Sequence, residues 1–227
     1  MDTRRFNFEQ SAVRVRLNLA KFLHMLPLPG TLVFPFLRDS LLEFGLLPKA
    51  VSYETPASRL TDAALTLGLF DETVTVRIFV DHVEVSINKD YRGTVVQISL
   101  MVVRLVEILE RVDPDTAVAG MDVLVRAHIT LPGSDADAHL KEFFLPQRGA
   151  TPDAFAFRIL PDAQLLAKNG RVTIGKSLLI PDGLFIEWNA SFVDFPDLKA
   201  ITLGAAGEFG QVLSLFGLVA NEEQVAA

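Results

Sequence analysis

The chain contains no cysteine among its 227 residues. That absence excludes disulfides, thiolate zinc sites and cysteine nucleophiles together, and it suits a reducing compartment. Histidine is scarce, at His24, His82, His128 and His139, and no two of these stand four residues apart, so there is no HExxH helix. Basic charge is in deficit: 21 Lys and Arg against 28 Asp and Glu give a formal net charge of −7. A chain of that sign presents no general polyanion surface, which argues against nucleic acid as a partner. The local exception is the beginning, where Arg4, Arg5, Arg14, Arg16 and Lys21 outnumber Asp2 and Glu9; it reads as a solvated face, with contact to an anion or RNA as the alternative.

Long uncharged apolar runs are missing as well. Ile98–Val106 is broken by Arg104, and Ile201–Ala220 by Glu208 and Gln211. Both fall short of the ~18 uninterrupted residues of a spanning helix. The opening MDTRRFNFEQSAVRVRLNLAK has neither an unbroken apolar core nor a small-residue cleavage site. The expectation is a cytoplasmic protein without a membrane partner. No GxxxxGK[ST], GxSxG or DxDxDG pattern occurs, so no cofactor is expected.

What the chain has in excess is apolar surface. Half of its residues are hydrophobic, the mean hydropathy is +0.33, and Phe numbers 17 against one Trp and two Tyr. That surplus must be covered by a core, by a ligand or by another subunit.

The apolar positions change period along the chain. Ala12–Leu19 alternates, with Val13, Val15, Leu17 and Leu19 on one face, and reads as a half-buried strand. Leu32–Phe44 carries Phe34, Leu37, Leu41 and Phe44 at helical spacing. Ala63–Phe70, Thr73–Val80 and Val83–Ile87 form an antiparallel meander with turns at Asp71-Glu72 and Asp81-His82. Thr94-Val95-Val96-Gln97 matches a capping box and opens a helix that ends before Asp113-Pro114. Its polar residues Gln97, Arg104, Glu107 and Arg111 make one narrow stripe, so the helix is expected to be covered on both sides. Met121–Leu131 is a further strand, and Ala138–Phe144 a short helix. Leu145–Pro152 holds two prolines and a glycine and marks a boundary between an N-terminal part, 1–147, and a C-terminal part, 148–227, of one continuous domain.

The second part repeats the first in outline. Ala154–Leu160 is a strand, Arg171–Ile180 and Leu184–Phe192 form a hairpin through Pro181-Asp182-Gly183, and a helix follows over Leu198–Leu218. Gly204, Gly207 and Gly210 on that helix suggest a groove for close packing. The fold class is therefore α+β: antiparallel meanders with long apolar helices packed on the sheet, either as two related hairpin–helix halves or as two similar but independent α+β units. The two long helices are expected to pack against each other, directly or across a dimer.

Four places carry residues capable of chemistry. Asp135, Asp137 and His139 alternate and would converge on a metal ion if the backbone is extended; the alternative is an acidic turn in which Asp137 caps the next helix. Glu107 lies between two arginines and reads as a structural ion pair or as a catalytic carboxylate. His128 shares a strand face with Arg126 and is a core-edge histidine or a catalytic base. Asp81-His82 are ordinary turn residues unless a cleft covers them.

Several pieces in order resemble a sporadically distributed bacterial family of uncharacterised α+β proteins of about this length. Tyr91 precedes the long helix, Val123–Gly133 (VLVRAHITLPG) stands where that family has a strand ending in Pro, and His139–Pro146 (HLKEFFLP) follows. LFIEWNASF, FPDLKA and EFGQVLSLF occupy the closing strand, turn and helix. His128 stands where the family favours Asn, Ala127 where it favours Tyr, and the closing strand keeps only Glu187 as its acid. The resemblance implies a cytoplasmic α+β protein and no particular reaction.

Three readings of function follow. The first is a non-enzymatic interaction or regulatory protein whose self-association, as a homo-oligomer, covers the apolar surplus. The second is a module for an apolar small molecule in a Phe-lined pocket. The third is an enzyme built on Glu107, His128 or the Asp135, Asp137 and His139 group.

Overall fold

The computed structural model describes residues 4–24, 26, 33, 35–36, 41–54, 59, 62–88, 90–91, 93–144, 154–159, 167–193 and 197–220. The strands are β1 (Arg4–Leu19), β2 (Val51–Glu54), β3 (Ala64–Leu69), β4 (Val74–Ile78), β5 (His82–Ile87), β6 (Val118–Thr130), β7 (Ala154–Ile159), β8 (Asn169–Lys176), β9 (Leu184–Val193) and β10 (Leu218–Ala220). The helices are α1 (Val95–Val112), α2 (Ala136–Phe144) and α3 (Leu198–Leu215). The class is α+β, with antiparallel meanders as the alternation predicts. Of the helix expected over 32–44, the four residues Leu41–Phe44 form a 3-10 turn, and most of the rest lies outside the described residues. The boundary expected at 145–152 also lies outside them.

The chain divides into two compact units. One comprises Arg14–Asp122 and Phe192–Leu203, with neighbouring strands in the order β2-β3-β4-β5-β1. Val76 sits between Leu67 of β3 and Val85 of β5, and all three are fully buried. The opposite face is polar: Arg77 lies across from Glu84 and pairs with Glu54 at 3.0 Å. Between β3 and β4 the chain turns through Phe70, Asp71 and Glu72, all left-handed at φ 49°, 55° and 65°. Each such non-glycine residue costs about 1–2 kcal/mol. Local bonds hold the corner: Phe70 N donates to Phe44 O (2.7 Å), Thr73 Oγ1 donates to Phe70 O (2.6 Å), and the Phe70 ring packs edge-on to Tyr91.

Helix α1 starts with the capping box that its sequence encodes. Gln97 N donates to Thr94 Oγ1 (3.3 Å) and Thr94 N donates to Gln97 Oε1 (2.9 Å). Ile98, Met101, Val102, Leu105, Ile108 and Leu109 form its buried face. Ser99 Oγ donates to Lys199 O at 3.2 Å, so the first turns of α1 and α3 meet. The other side of α1 is open, contrary to the expectation of cover on both sides: Val96 is 50 % exposed, Leu100 43 %, and Val103 half-buried. The polar stripe is narrow because Val95, Val96 and Leu100 share the solvent side with it.

The second unit comprises Met1–Val13, Val123–Ser191 and Gly204–Ala227. Its strands follow the order β1-β6-β9-β8-β7. Val172 faces Trp188, Ile174 faces Ile186, and all are buried. Trp188 stacks on Phe209 of α3, with ring centroids 5.5 Å apart. Helix α3 ends three residues earlier than the sequence suggests. Gly217 adopts φ 69° and turns the chain into β10, which pairs parallel to the start of β1, Arg4 opposite Leu218. Strand β1 accordingly begins at Arg4 and not at Ala12. Gly207 and Gly210 of α3 do not line a packing groove: among the described residues, an added Cβ at either meets nothing within 4 Å.

Candidate functional site

Asp135, Asp137 and His139 lie at and within the start of α2, so their backbone is helical and their side chains part company. Asp135, not Asp137, caps the helix, its Oδ1 accepting from Ala138 N at 2.6 Å. Asp137 pairs with Lys176 Nζ at 2.7 Å, and that partner holds its carboxyl below the usual range. His139 is buried. Burial first, then the Arg4 guanidinium, lowers its pKa to about 4, against the raising effect of Glu142 and of a backbone hydrogen bond with Phe216. It is neutral at physiological pH. The extended backbone that a metal site needed is not there, and among the described residues no group of three His, Asp or Glu side chains is arranged to hold a metal ion.

Glu107 lies on the solvent side of α1 and pairs with Arg104 at 2.8 Å, three residues earlier. This is the structural ion pair that its spacing suggests. At the β4–β5 turn, His82 Nδ1 lies 2.6 Å from Asp81 Oδ1, and its ring stacks on Phe79 at 4.4 Å.

His128 is the candidate with the most developed surroundings. It projects from β6 beside Phe185 of β9, ring centroids 5.1 Å apart, and burial lowers its pKa. Its Nδ1 lies 2.8 Å from Ser177 Oγ, at the start of the seven-residue tip joining β8 to β9. Ser177 Oγ also accepts from Leu179 N (3.1 Å) and Ile180 N (2.8 Å). A hydroxyl oxygen has two lone pairs and one proton. Both lone pairs are occupied, so the proton is the group that reaches His128.

A serine–histidine contact invites comparison with a nucleophile and its base. The two amides that would have to stabilise an oxyanion bind the hydroxyl oxygen itself, which blunts it as a nucleophile. The arrangement instead rigidifies the tip. Ser177 N donates to Gly183 O (2.8 Å), and Ala136 N donates to Asp182 O (3.1 Å). Gly183 is required for close approach to β6, because a Cβ there would lie 2.8 Å from Ile129 O. On this frame Leu178 is 97 % exposed and Leu179 60 %. Sequence reasoning counted Ser177 as a strand residue and missed it; a serine two and three residues before free amides in a turn is the signal that was there.

Glu208 of α3 was noted only as an interruption in an apolar run. It is buried and accepts from Ala167 N at 3.2 Å, ahead of β8. No described helix is long and apolar enough to cross a membrane.

No family model matches this chain, and no curated protein matches it. Among solved structures, one similar chain comes from the Mycobacterium tuberculosis type VII secretion system chaperone EspG5 in complex with the PE25–PPE41 dimer. It shares 8 % identity over 88 % of this chain and 72 % of that one, with a TM-score of 0.22. A likeness at that level carries no argument about function.

Proposed function

We propose that this protein works by contact and not by catalysis, as a non-enzymatic interaction or regulatory protein that self-associates through the outer face of α1. The observation that carries the reading is the apolar side of a well-capped helix left in solvent, with Val95 at 45 %, Val96 at 50 % and Leu100 at 43 % exposure. Such faces on single subunits mark contact surfaces when they are contiguous. Glu43 of the 3-10 turn reaches Arg104, one turn beyond Leu100, and Leu42 next to it in sequence is also exposed. The rim favours a second copy as occupant. Arg104, Glu107, Glu110 and Arg111 along the same helix carry both signs and no net charge, so a second copy meets no net repulsion there.

The catalytic reading has less support, because Glu107 is paired in solvent and Ser177 is saturated by backbone amides. Light scattering or sedimentation on the purified chain tests the proposal. Leu100→Glu is expected to convert a dimer to a monomer without loss of secondary structure. A wild-type chain that stays strictly monomeric at tens of micromolar would overturn the reading.

A further inference from the structure

We propose that His128 is a pH-operated latch on the β8–β9 tip: its neutral ring accepts a hydrogen bond from the Ser177 hydroxyl and keeps Ser177 on the Leu179 and Ile180 amides, and protonation of the ring releases the tip. The inference does not rest on self-association through α1.

The reasoning is one of hydrogen-bond valence. With Leu179 N and Ile180 N donating to Ser177 Oγ, the hydroxyl can only donate towards His128 Nδ1, 2.8 Å away. Nδ1 must then be the acceptor, which fixes the proton of the neutral ring on Nε2. A protonated ring carries hydrogen on both nitrogens. Nδ1–H would face an oxygen with no free lone pair, so one of the three contacts must break. If the ring keeps Ser177, an amide of the tip is lost; if the amides stay, the ring is lost. Either way the tip gives up a tether.

Among the described residues, the neighbouring charges do not supply a compensating partner. On the same strand Arg126 pairs with Glu187 of β9 at 2.8 Å. From β1, Glu9 accepts from Thr130 Oγ1 at 2.7 Å. From β8, Lys176 is paired with Asp137 of α2, and Asp182 is the acid of the tip itself, its carbonyl tied to Ala136 N. Phe185, the side chain against the ring, is apolar. Burial already favours the neutral ring, so the latch holds above the usual histidine range and opens as pH falls below it. What it governs is the presentation of Leu178 and Leu179, a fixed apolar prominence at neutral pH and a loosened one in acid.

Amide hydrogen exchange on the full chain tests this, read as protection at each pH relative to an unstructured peptide. From about pH 7.5 to about pH 4.5, spanning the histidine range, protection of the Leu179 and Ile180 amides should fall by up to about tenfold per pH unit once the ring titrates. His128→Asn places an amide oxygen near the position of Nδ1 and does not titrate, so its tip should remain protected throughout. Ser177→Ala should be unprotected at every pH. His139 is retained in each variant, so a fall common to wild type and His128→Asn overturns the proposal, as does no fall in wild type. Should the variants not fold, the wild type decides: the tip midpoint must coincide with the His128 ring titration read by NMR, and a mismatch overturns the latch.

Discussion

The hairpin–helix segment appears twice, as β4–β5–α1 and as β8–β9–α3, and the two copies solve the same problem differently. Each pairs its hairpin antiparallel, and each ends in an 18-residue helix. In the first, the hairpin connection is only Phe79–Asp81, and Val80 at its crest is buried. In the second it runs from Ser177 to Gly183 and lifts two leucines into solvent. The first helix is capped reciprocally by Thr94 and Gln97. The second starts at Asp197, whose Oδ1 accepts from Lys199 N at 2.8 Å. The first exposes apolar side chains near its start; the second exposes glycines and, in its last turn, Leu215, and it carries a buried carboxylate, Glu208. In the first segment the exposed apolar side chains sit at the start of the helix; in the second they sit on the hairpin tip and at the end of the helix.

The largest expected break falls in the second copy. Trp188→Ala removes the ring that faces Val172 and stacks on Phe209, and should cost about 3–5 kcal/mol in urea unfolding. Val76→Ala, the matching cut in the first hairpin, should cost about 2 kcal/mol.

Acid acts next, on α2, which packs against β8 of the second copy. The fold disfavours the charged form of His139, so its contribution is intact above about pH 6.5, declines as pH falls towards about 4, and is constant below that. The loss over that window is at most about 3 kcal/mol. Unfolding followed against pH should show this slope, and His139→Gln should flatten it. Equal slopes in the two proteins would remove His139 as the cause.

Smaller effects sharpen the contrast between helices. Thr94→Ala breaks the capping box and should destabilise by about 1 kcal/mol. Gly207→Ala and Gly210→Ala, where a methyl meets open space, should each raise stability by about 0.5–1 kcal/mol. A loss at either position would mean that α3 has a partner on that side.

Elements with a sustained period were legible in the sequence. The alternation of 74–78 and 82–87 and the Thr94–Gln97 box have local causes, and local causes can be read from a string. What escaped reading depends on distant chain. Strand β10 is three residues long and too short for a period; it exists because Arg4–Phe6 offers an edge. The α1 polar stripe was read correctly by residue type, yet the width of the buried face is decided by what packs on it. The same holds for the site. Asp135, Asp137 and His139 were noticed as a group, but one turn of helix turns adjacent letters in different directions. His128 was noticed without its partner, because nothing in the string ties it to Ser177 across the sheet.

The parallel pairing of β10 with the start of β1 has a consequence in time. The two strands stand at opposite ends of the described chain, so their meeting closes the longest loop in it. Loop closure grows costlier with the length of chain enclosed, and contacts of such wide separation form late in folding. Arg4–Phe6 therefore waits for Leu218–Ala220, more than two hundred residues further along the chain. Until then Arg4–Phe6 is an unsatisfied edge that a chaperone or a neighbouring nascent chain can occupy.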